Sequence, residues 1–466
     1  MTHSDANMTE NGRMSGKKMI ALVAALMLCV ISFQLNASMI TPALPDIAEE
    51  LGVSVNDVSQ VSSLFLLFGS IGGILITRFS DYVGRRNMLF FILFCLFVGS
   101  LLAIFSTNLP LLLVGRALQG LSSASFQISY LVLNEALDAK SFGLALGVIT
   151  ALNGGIGGVD GYIGGLLTEA FGFRSLFIVI IAFVVISFFG VLAAFPKNMK
   201  PASTGKFDWQ GGVCITIGVV CLGRFIANGS SVSWTAPLTF GFLVAAIAGF
   251  ILFYLRELRA EDPVISIEEL KSRQVWPLIA GVLFTLAGVF PVINFTLVVF
   301  SQNAEVGFGM SASTSSLFFL VPPAVIGIVA APFVGWMAPR VGWIRTLRIG
   351  LALCLIAMVV IMLFPTNLPV VVACVAVLGV AYNGLSLTTL NGLGVVLSPE
   401  ASKGSLPAVS GACFGLGSSL GMALISPFAS NGTVAGVRTA MIISIIIAAA
   451  AFAASLAMRA AKGAQS

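Results

Sequence analysis

Long apolar segments alternate with short polar ones along almost the whole chain. Each apolar segment is close to or above 18 residues, the length at which a helix can span the hydrocarbon core of a membrane. Helices are expected rather than barrel strands, because ten-residue segments of alternating hydrophobicity are not seen. The pattern predicts fourteen helices, at 19–42, 58–77, 87–106, 109–133, 141–168, 175–195, 211–228, 236–254, 275–300, 313–336, 347–364, 368–391, 406–428 and 437–458.

The composition excludes a soluble protein. Of the 466 residues, 58% are hydrophobic and 9% are charged, whereas about 25% of the residues in a typical soluble domain are charged. So few charges cannot cover a surface that faces water, and so much apolar surface excludes a disordered chain. The expected fold class is therefore an all-α polytopic membrane protein with fourteen transmembrane helices.

The basic residues are distributed unevenly between the predicted loops. If the N-terminus lies in the cytoplasm and the helices alternate, 20 of the 24 Lys and Arg residues fall on the cytoplasmic side and two on the outer side. This bias follows the positive-inside rule. We therefore expect a multi-pass protein of the cell (inner) membrane with both termini in the cytoplasm. The net charge of +5 has the same origin, so no nucleic-acid partner is expected.

Two longer charged loops, at 196–210 and 256–274, bracket one pair of predicted helices. A partial repeat supports a division on either side of this pair, because Arg78–Arg86 and Gly335–Arg345 occupy equivalent positions in two six-helix bundles related by pseudo-symmetry. The expected domains are a cytoplasmic tail at 1–18, a six-helix bundle at 19–195, a linker at 196–274 with an inserted hairpin at 211–254, a six-helix bundle at 275–458 and a tail at 459–466.

The residue types give little support for cofactor chemistry. The only histidine is His3, in the polar tail, and the seven cysteines lie in apolar runs without a CxxC spacing. We therefore expect no metal site, no cofactor and no catalytic triad, and the lack of a P-loop argues against an ATP-driven pump. An intramembrane enzyme or a sensor is a poorly supported alternative, so the protein is not expected to be an enzyme.

The loop after the second apolar run contains Asp81, Gly84, Arg85 and Arg86. An acid in a short basic turn can pair with an arginine or with the N-terminus of a neighbouring helix, and so hold one state of a gate. Glycine at position 84 allows a tight turn. A plain basic loop without such a role is the alternative.

Asp160 is the acidic residue expected deep in the membrane, where a carboxylate is costly unless it is paired, hydrated or protonated. Counting residues from the outer helix ends, at ~1.5 Å each, places Arg116 and Asn36 at a similar depth. The three residues predict a polar layer that lines a water-accessible cavity. We hypothesise that Asp160 carries a proton and that Arg116 stabilises its ionised form. A static Arg–Asp pair is the alternative.

Several motifs resemble those of the major facilitator superfamily, and within it the fourteen-helix drug:proton antiporter branch. Asp81–Arg86 resembles the family's loop motif, and Leu113–Gly120 resembles its fourth-helix motif. Phe207–Gly211 and Ala43–Ala48 resemble segments of the fourteen-helix branch in particular. The resemblance implies two bundles that open alternately to the two sides of the membrane.

Two helices, the first and the fifth, depart from the pattern of that branch. Asn36 stands where an aspartate is usual in the first helix, and Asp160 and Gly161 stand where the fifth helix usually has Gly-Pro. The expected function is secondary active transport, as proton-coupled export of a small organic molecule or drug. A metabolite uniporter or symporter is the alternative. The expected partners are the small-molecule substrate, protons and the lipid bilayer, with the protein acting as a monomer.

Other polar residues inside the predicted helices are candidates for substrate contact, with helix–helix hydrogen bonds as the alternative. Together with Asn36, they are Gln119, Gln127, Asn294 and Asn383. Small residues form a second group, because glycines four residues apart permit close and sliding helix contact. Static packing is the alternative for these glycines. The candidate gating glycines, besides Gly84, are Gly120, Gly161 and Gly165.

Overall fold

The computed structural model describes residues 16–53, 55–196, 205–260, 271–398, 403–430 and 433–458. It also describes residues 199, 201, 203, 262–264 and 267 of the two linkers. The predicted tail at 459–466 lies outside the described residues, as does the tail at 1–18 except for its last three residues. All regular elements within the described ranges are helical.

The helices follow one another with short connections. They are α1 (Gly16–Ser38), α2 (Leu44–Leu51), α3 (Val55–Val83), α4 (Arg85–Ile104), α5 (Leu109–Gly120), α6 (Ala124–Ala136), α7 (Ala139–Phe171), α8 (Arg174–Ala194), α9 (Trp209–Ser231), α10 (Pro237–Glu257), α11 (Trp276–Gly288), α12 (Leu297–Gln302), α13 (Ala312–Phe319), α14 (Val321–Val341), α15 (Trp343–Leu363), α16 (Leu368–Leu378), α17 (Leu387–Val396), α18 (Ser405–Ala429) and α19 (Val434–Ala457). Two π-helical segments, Val292–Thr296 and Gly379–Ser386, precede α12 and α17.

Local sequence determines where several of these helices begin. The side chains of Asn108, Asp138 and Thr433 each accept a hydrogen bond, 3.0 Å long, from a backbone N–H in the first turn of α5, α7 and α19. Such caps satisfy N–H groups that have no partner within the helix. The polar residues between the apolar runs therefore start helices as well as separate them.

Twelve helical segments in the described residues are long and apolar enough to cross a membrane, not the expected fourteen. The predicted run 109–133 is divided by a 3-10 turn at Leu121–Ser123, so that α5 and α6 have only 12 and 13 residues. The predicted run 141–168 lies within α7, a single helix of 33 residues in which Ala139–Leu152 is the apolar segment found among the described residues. In the first run, the polar residues Arg116, Gln119 and Gln127 interrupt the apolar pattern.

Two large hydrophobic cores organise the chain. One is formed mainly by residues of α1–α8, from Leu22 to Phe195, and the other by residues of α11–α19, from Val275 to Met458. We call these helix groups the N-terminal bundle and the C-terminal bundle. The predicted pseudo-symmetry between the bundles and the expected division into six-helix units stay predictions.

The two bundles approach each other most closely where α7 crosses α14. A Cβ atom added to Gly143 would collide with the carbonyl oxygen of Gly335, and one added to Gly147 would collide with that of Ala331. Small residues let two backbones come together in this way, and van der Waals contact then holds them. This crossing is near the end of the molecule where α3 ends and α4 begins, which we call the basic face because Arg78, Arg85 and Arg86 lie there.

The helices α9 and α10 cover the region of the expected inserted hairpin. Ile215 of α9 lies in a small core with Ile74 of α3 and Ala412 of α18, so the hairpin contacts both bundles. At the basic face, the ring of Phe207 lies 5.3 Å from that of Phe79, measured between centroids. Arg78 donates a hydrogen bond of 3.0 Å to the carbonyl oxygen of Pro263 in the linker after the hairpin.

The close crossing of α7 and α14 generates a stability prediction. Gly147→Ala should lower the free energy of unfolding by about 1–3 kcal/mol, the usual cost of overpacking, because the added methyl meets backbone that cannot yield. Gly161→Ala, on the same helix, is the matched control, since nothing lies within 4 Å of the added carbon. Thermal unfolding in detergent measures both variants, and equal melting temperatures would contradict the prediction.

Candidate functional site

Arg116 is completely buried in the N-terminal bundle, with 0% of its surface exposed. Its guanidinium donates hydrogen bonds to the side-chain oxygen of Asn36, to the carbonyl oxygen of Val61 at 3.1 Å and to Oε1 of Gln119 at 2.9 Å. The ring of Phe65 lies 4.3 Å from the guanidinium carbon. Neutral oxygens and an aromatic face thus solvate this cation in place of a carboxylate.

Asp160 lies on α7 with 1% of its surface exposed. Its Oδ2 accepts a hydrogen bond from the hydroxyl of Ser38, and its Oδ1 has no hydrogen-bond partner among the described residues. The structure also shows no ion pair between Asp160 and Arg116, although the described residues include both. The expected pairing of these two groups is therefore not formed.

The geometry of α1 explains why the pair does not form. Asn36 and Ser38 are two residues apart, and successive residues of an α-helix are rotated by about 100°, so the two side chains point in nearly opposite directions. Asn36 reaches Arg116 on α5, and Ser38 reaches Asp160 on α7. The expected polar layer exists in this sense, but α1 separates its cation from its acid.

A cavity of about 160 Å³ lies between the two bundles. Its walls come from α1, α6, α11, α17 and α18, together with Ser123 of the 3-10 turn. None of the described residues that line it carries a charge. Its polar groups are Ser123, Gln127, Tyr130, Asn391 and Ser410, and its other aromatic residues are Phe33, Phe126 and Phe414.

Of the five residues expected to line a substrate cavity, only Gln127 lies at this one. Asn36 and Gln119 bind Arg116 instead. Asn294 is exposed and donates to the carbonyl oxygen of Phe290 in its own helix, at 3.0 Å. Asn383 donates to the carbonyl oxygen of Pro323 at 2.9 Å. The bond of Asn383 is the helix–helix contact that the sequence left open as the alternative, whereas Asn294 bonds only within its own helix.

Most of the residues that form the cavity, Tyr130 and Ser410 among them, were not predicted from the sequence. Asn391 of α17 donates hydrogen bonds to the hydroxyls of Tyr130 at 3.3 Å and Thr150 at 3.4 Å, and so joins the C-terminal bundle to α6 and α7. An asparagine in an apolar helix is a usable signal for such a contact. Ser410 carries no comparable signal, because serines are common in these helices and many bond to their own backbone.

The loop motif at the basic face forms a contact between the bundles. Asp81 is fully buried and accepts hydrogen bonds from Arg78 of its own helix and from the backbone N–H of Gly404, at 3.1 Å, just before α18. It also forms an ion pair with Arg85, which binds Glu135 at 3.1 Å. The positive end of the α18 dipole favours an anion at this position. We call the Asp81–Gly404 contact the latch.

Three other candidate gating residues, Gly84, Arg86 and Gly120, have local structural roles. Gly84 has a φ of 98°, so the turn between α3 and α4 requires a glycine there, as expected. Arg86 stacks on the ring of Phe90, 5.4 Å from its centroid. Gly120 packs tightly inside the N-terminal bundle, where a Cβ atom would meet the carbonyl oxygen of Phe65.

Gly161 and Gly165 do not make the close helix contact that their spacing suggested. Nothing lies within 4 Å of a Cβ atom added to Gly161, and the nearest atom to one at Gly165 is 3.9 Å away. The close approaches of α7 involve Gly143 and Gly147 against α14, and Gly164 against the backbone of Met39. A spacing rule identifies small residues but not the side of the helix that has a neighbour.

A many-helix membrane protein whose two bundles enclose a cavity between them has the architecture of a secondary transporter. The family model described as Major Facilitator Superfamily matches residues 26–422, and the chain belongs to this family. The family membership indicates a membrane transporter rather than an enzyme. The fourteen-helix branch is not supported by the twelve spans found in the described residues.

Two relatives with named functions match most of the chain. The chain is 31% identical over 422 residues to the uridine/deoxyuridine transporter of Lactococcus lactis, covering 87% of this chain and 86% of that protein. It is 28% identical over 385 residues to the quinolone resistance protein NorB of Staphylococcus aureus, covering 81% of this chain and 79% of the relative.

Solved structures share the fold at low sequence identity. The human organic anion transporter MFSD10 aligns with a TM-score of 0.68 at 14% identity, covering 93% of this chain and 100% of that one. The proton:xylose symporter XylE aligns with a TM-score of 0.60 at 12% identity, covering 92% of this chain and 94% of that one. These similarities establish the fold alone.

The latch generates a prediction about access from the basic face. Gly404→Ala should weaken it, because the added carbon would lie 2.8 Å from a carboxylate oxygen of Asp81. Thr77→Cys serves as the reporter, since Thr77 is buried beside Gly404. Loss of a charged hydrogen bond of about 1.5–3 kcal/mol should speed maleimide labelling of the introduced thiol about tenfold or more.

Labelling at position 77 is best followed by peptide mass spectrometry, which separates the introduced thiol from the seven native cysteines. Gly241→Ala is the control, because the added carbon has no neighbour within 4 Å. An unchanged labelling rate in the Gly404→Ala protein would show that the latch does not limit access.

Proposed function

We propose that the protein carries a small, uncharged, nucleoside-like molecule across the cell membrane by alternating access, coupled to protons. The observation that carries the proposal is the chemistry of the cavity, in which neutral amides and hydroxyls lie among aromatic rings and none of the described lining residues is charged. A charged substrate would lose its hydration there without meeting a counter-charge, which is costly. A neutral substrate avoids that cost.

The cavity offers the two kinds of contact that a nucleoside needs. The base presents a flat π-face, for which the rings of Phe33, Phe126 and Phe414 are suitable partners. Its edge and the sugar hydroxyls present hydrogen-bonding groups, for which the amide of Gln127 offers both a donor and an acceptor. The similarity to a uridine/deoxyuridine transporter over most of the chain supports the same substrate class.

Asp160 is the group that we propose to take up and release the coupling proton. It is buried on α7 with a single hydroxyl as hydrogen-bond partner, and no cation pairs with it in the described part of the chain. A carboxylate in this setting gains by protonation when the protein closes around it, and by ionisation when water enters. Arg116 then has a positioning role, because it fixes Asn36 and thereby the orientation of α1.

The site is expected to face both sides of the membrane in turn, with the basic face in the cytoplasm and the protein acting as a monomer. Drug export in exchange for protons is the second candidate function, favoured by the similarity to the quinolone resistance protein NorB. The substrate's charge separates the two candidates, since a cationic drug would find no anionic partner among the described residues that line the cavity.

Transport by the purified protein tests the proposal. Proteoliposomes should take up radiolabelled uridine in a saturable way, and unlabelled uridine should compete, whereas a quinolone or a lipophilic cation should not. Uptake should increase when a pH gradient is imposed across the vesicle membrane. Uptake no greater than that of protein-free liposomes would overturn the nucleoside proposal, and transport of the cationic drug alone would favour the second candidate.

The proton role predicts a specific defect. Asp160→Asn keeps the size of the side chain and its bond to Ser38 but cannot exchange a proton, so uridine exchange between equal concentrations should persist while stimulation by a pH gradient is lost. Glu169→Gln, an exposed acid on the same helix, is the control and should behave as the unmodified protein. Full gradient stimulation in the Asp160→Asn protein would contradict the role.

A further inference from the structure

We infer that Gln127 and Ser410 together bind the edge of a single-ring base that presents an N–H group between two carbonyl oxygens. Gly411 leaves the space that the amide of Gln127 needs for this contact. The inference rests on the proposed function and makes it more specific. The observation behind it is that some polar side chains of the cavity wall have hydrogen-bond partners within the protein and others have none.

Most polar groups of the wall already have partners. Ser123 donates to the carbonyl oxygen of Gly69, and Tyr130 and Thr150 share a hydrogen bond of 3.2 Å. Asn391 donates to both of these hydroxyls. These groups hold the wall in place, so a substrate would have to break a bond to use them.

Gln127 and Ser410, in contrast, each have a polar atom without a hydrogen-bond partner. Oε1 of Gln127 and Oγ of Ser410 are both buried, and neither has a hydrogen-bond partner among the described residues. Buried polar atoms are nearly always paired, so an unpaired one at a cavity wall indicates a partner that arrives with the ligand. No other lining residue in the described part of the chain has an unpaired buried side-chain atom of this kind.

The two residues line the same cavity from opposite bundles. Gln127 is on α6 of the N-terminal bundle, and Ser410 is on α18 of the C-terminal bundle. The amide of Gln127 lies directly against Gly411, the residue after Ser410, because a Cβ atom on Gly411 would collide with it. One ligand edge can therefore meet both side chains at once and hold the bundles together.

Their combined chemistry matches one type of base edge. A carboxamide offers one donor and one acceptor side by side, and a hydroxyl can donate or accept. An N–H group can donate to the amide oxygen while an adjacent carbonyl accepts from the amide nitrogen, and the second carbonyl accepts from the hydroxyl. A pyrimidine-2,4-dione, the base of uridine, has this arrangement.

Competition for radiolabelled uridine uptake into proteoliposomes tests the inference. N3-methyluridine lacks the central N–H donor, so it should compete at least about tenfold more weakly than uridine in the unmodified protein, as sites built for a hydrogen bond reject ligands that lack it. Adenosine, with a fused double ring, should also compete weakly. Gln127→Ala should take up uridine less well and should lose most of the discrimination against N3-methyluridine.

Ser410→Ala provides an independent variant if Gln127→Ala does not fold, and it should weaken uridine binding without a change in the response to the N3-methyl group. Gly411→Ala should reduce uridine transport, because the methyl group displaces the amide. Asn294→Ala removes an exposed amide that bonds only to its own helix, and should change nothing.

The outcomes separate this inference from the function on which it rests. If the unmodified protein does not transport uridine at all, the proposed function is overturned and the inference with it. If it transports uridine but accepts N3-methyluridine equally, or if Gln127→Ala keeps the full discrimination, the inference alone is overturned. In that case the two unpaired atoms bind water rather than a base.

Discussion

The buried guanidinium of Arg116 is the constraint around which the N-terminal bundle is organised. A permanent cation inside an apolar bundle needs hydrogen-bond acceptors, and here neutral oxygens of α1, α3 and α5 accept from Nε and one terminal nitrogen of Arg116. This arrangement fixes the rotation of α1 about its own axis. Asn36 must face α5, so Ser38 must face α7, where it meets Asp160. Among the described residues, no cation pairs with this acid.

The contacts between the bundles are concentrated towards the basic face. The crossing of α7 and α14, the latch between Asp81 and Gly404, and the bridge from Asn391 all lie there or between that face and the middle of the cavity. The α9–α10 hairpin adds apolar contacts to both bundles through Ile215. Each of these contacts joins the two bundles and must change if they are to open on that side. The latch and the bridge are polar, so water can replace their bonds at little cost.

The helices and their approximate limits follow from the sequence because the membrane allows few alternatives. A run of about twenty apolar residues must satisfy its own backbone, and only a helix does this within one segment. The tight turn at Gly84 follows from the motif for an equally local reason. Of the two runs that differ from expectation, 109–133 contains Arg116, Gln119 and Gln127, which weaken the apolar signal, whereas 141–168 lies within the continuous helix α7. Gln127 was also identified from the sequence as a residue of the cavity.

The sequence indicates how deep in the membrane a side chain lies, but it does not indicate in which direction around its helix that side chain points. Counting residues placed Asn36, Arg116 and Asp160 in one layer, whereas only the packed helices show that α1 stands between the cation and the acid. Helix rotation also decides that Gln127 lines the cavity, whereas Gln119 accepts a hydrogen bond from Arg116 inside the N-terminal bundle. A side chain's level depends on its position along one helix, a local quantity. Its partner depends on how neighbouring helices are rotated and packed, and that is decided by the whole tertiary structure.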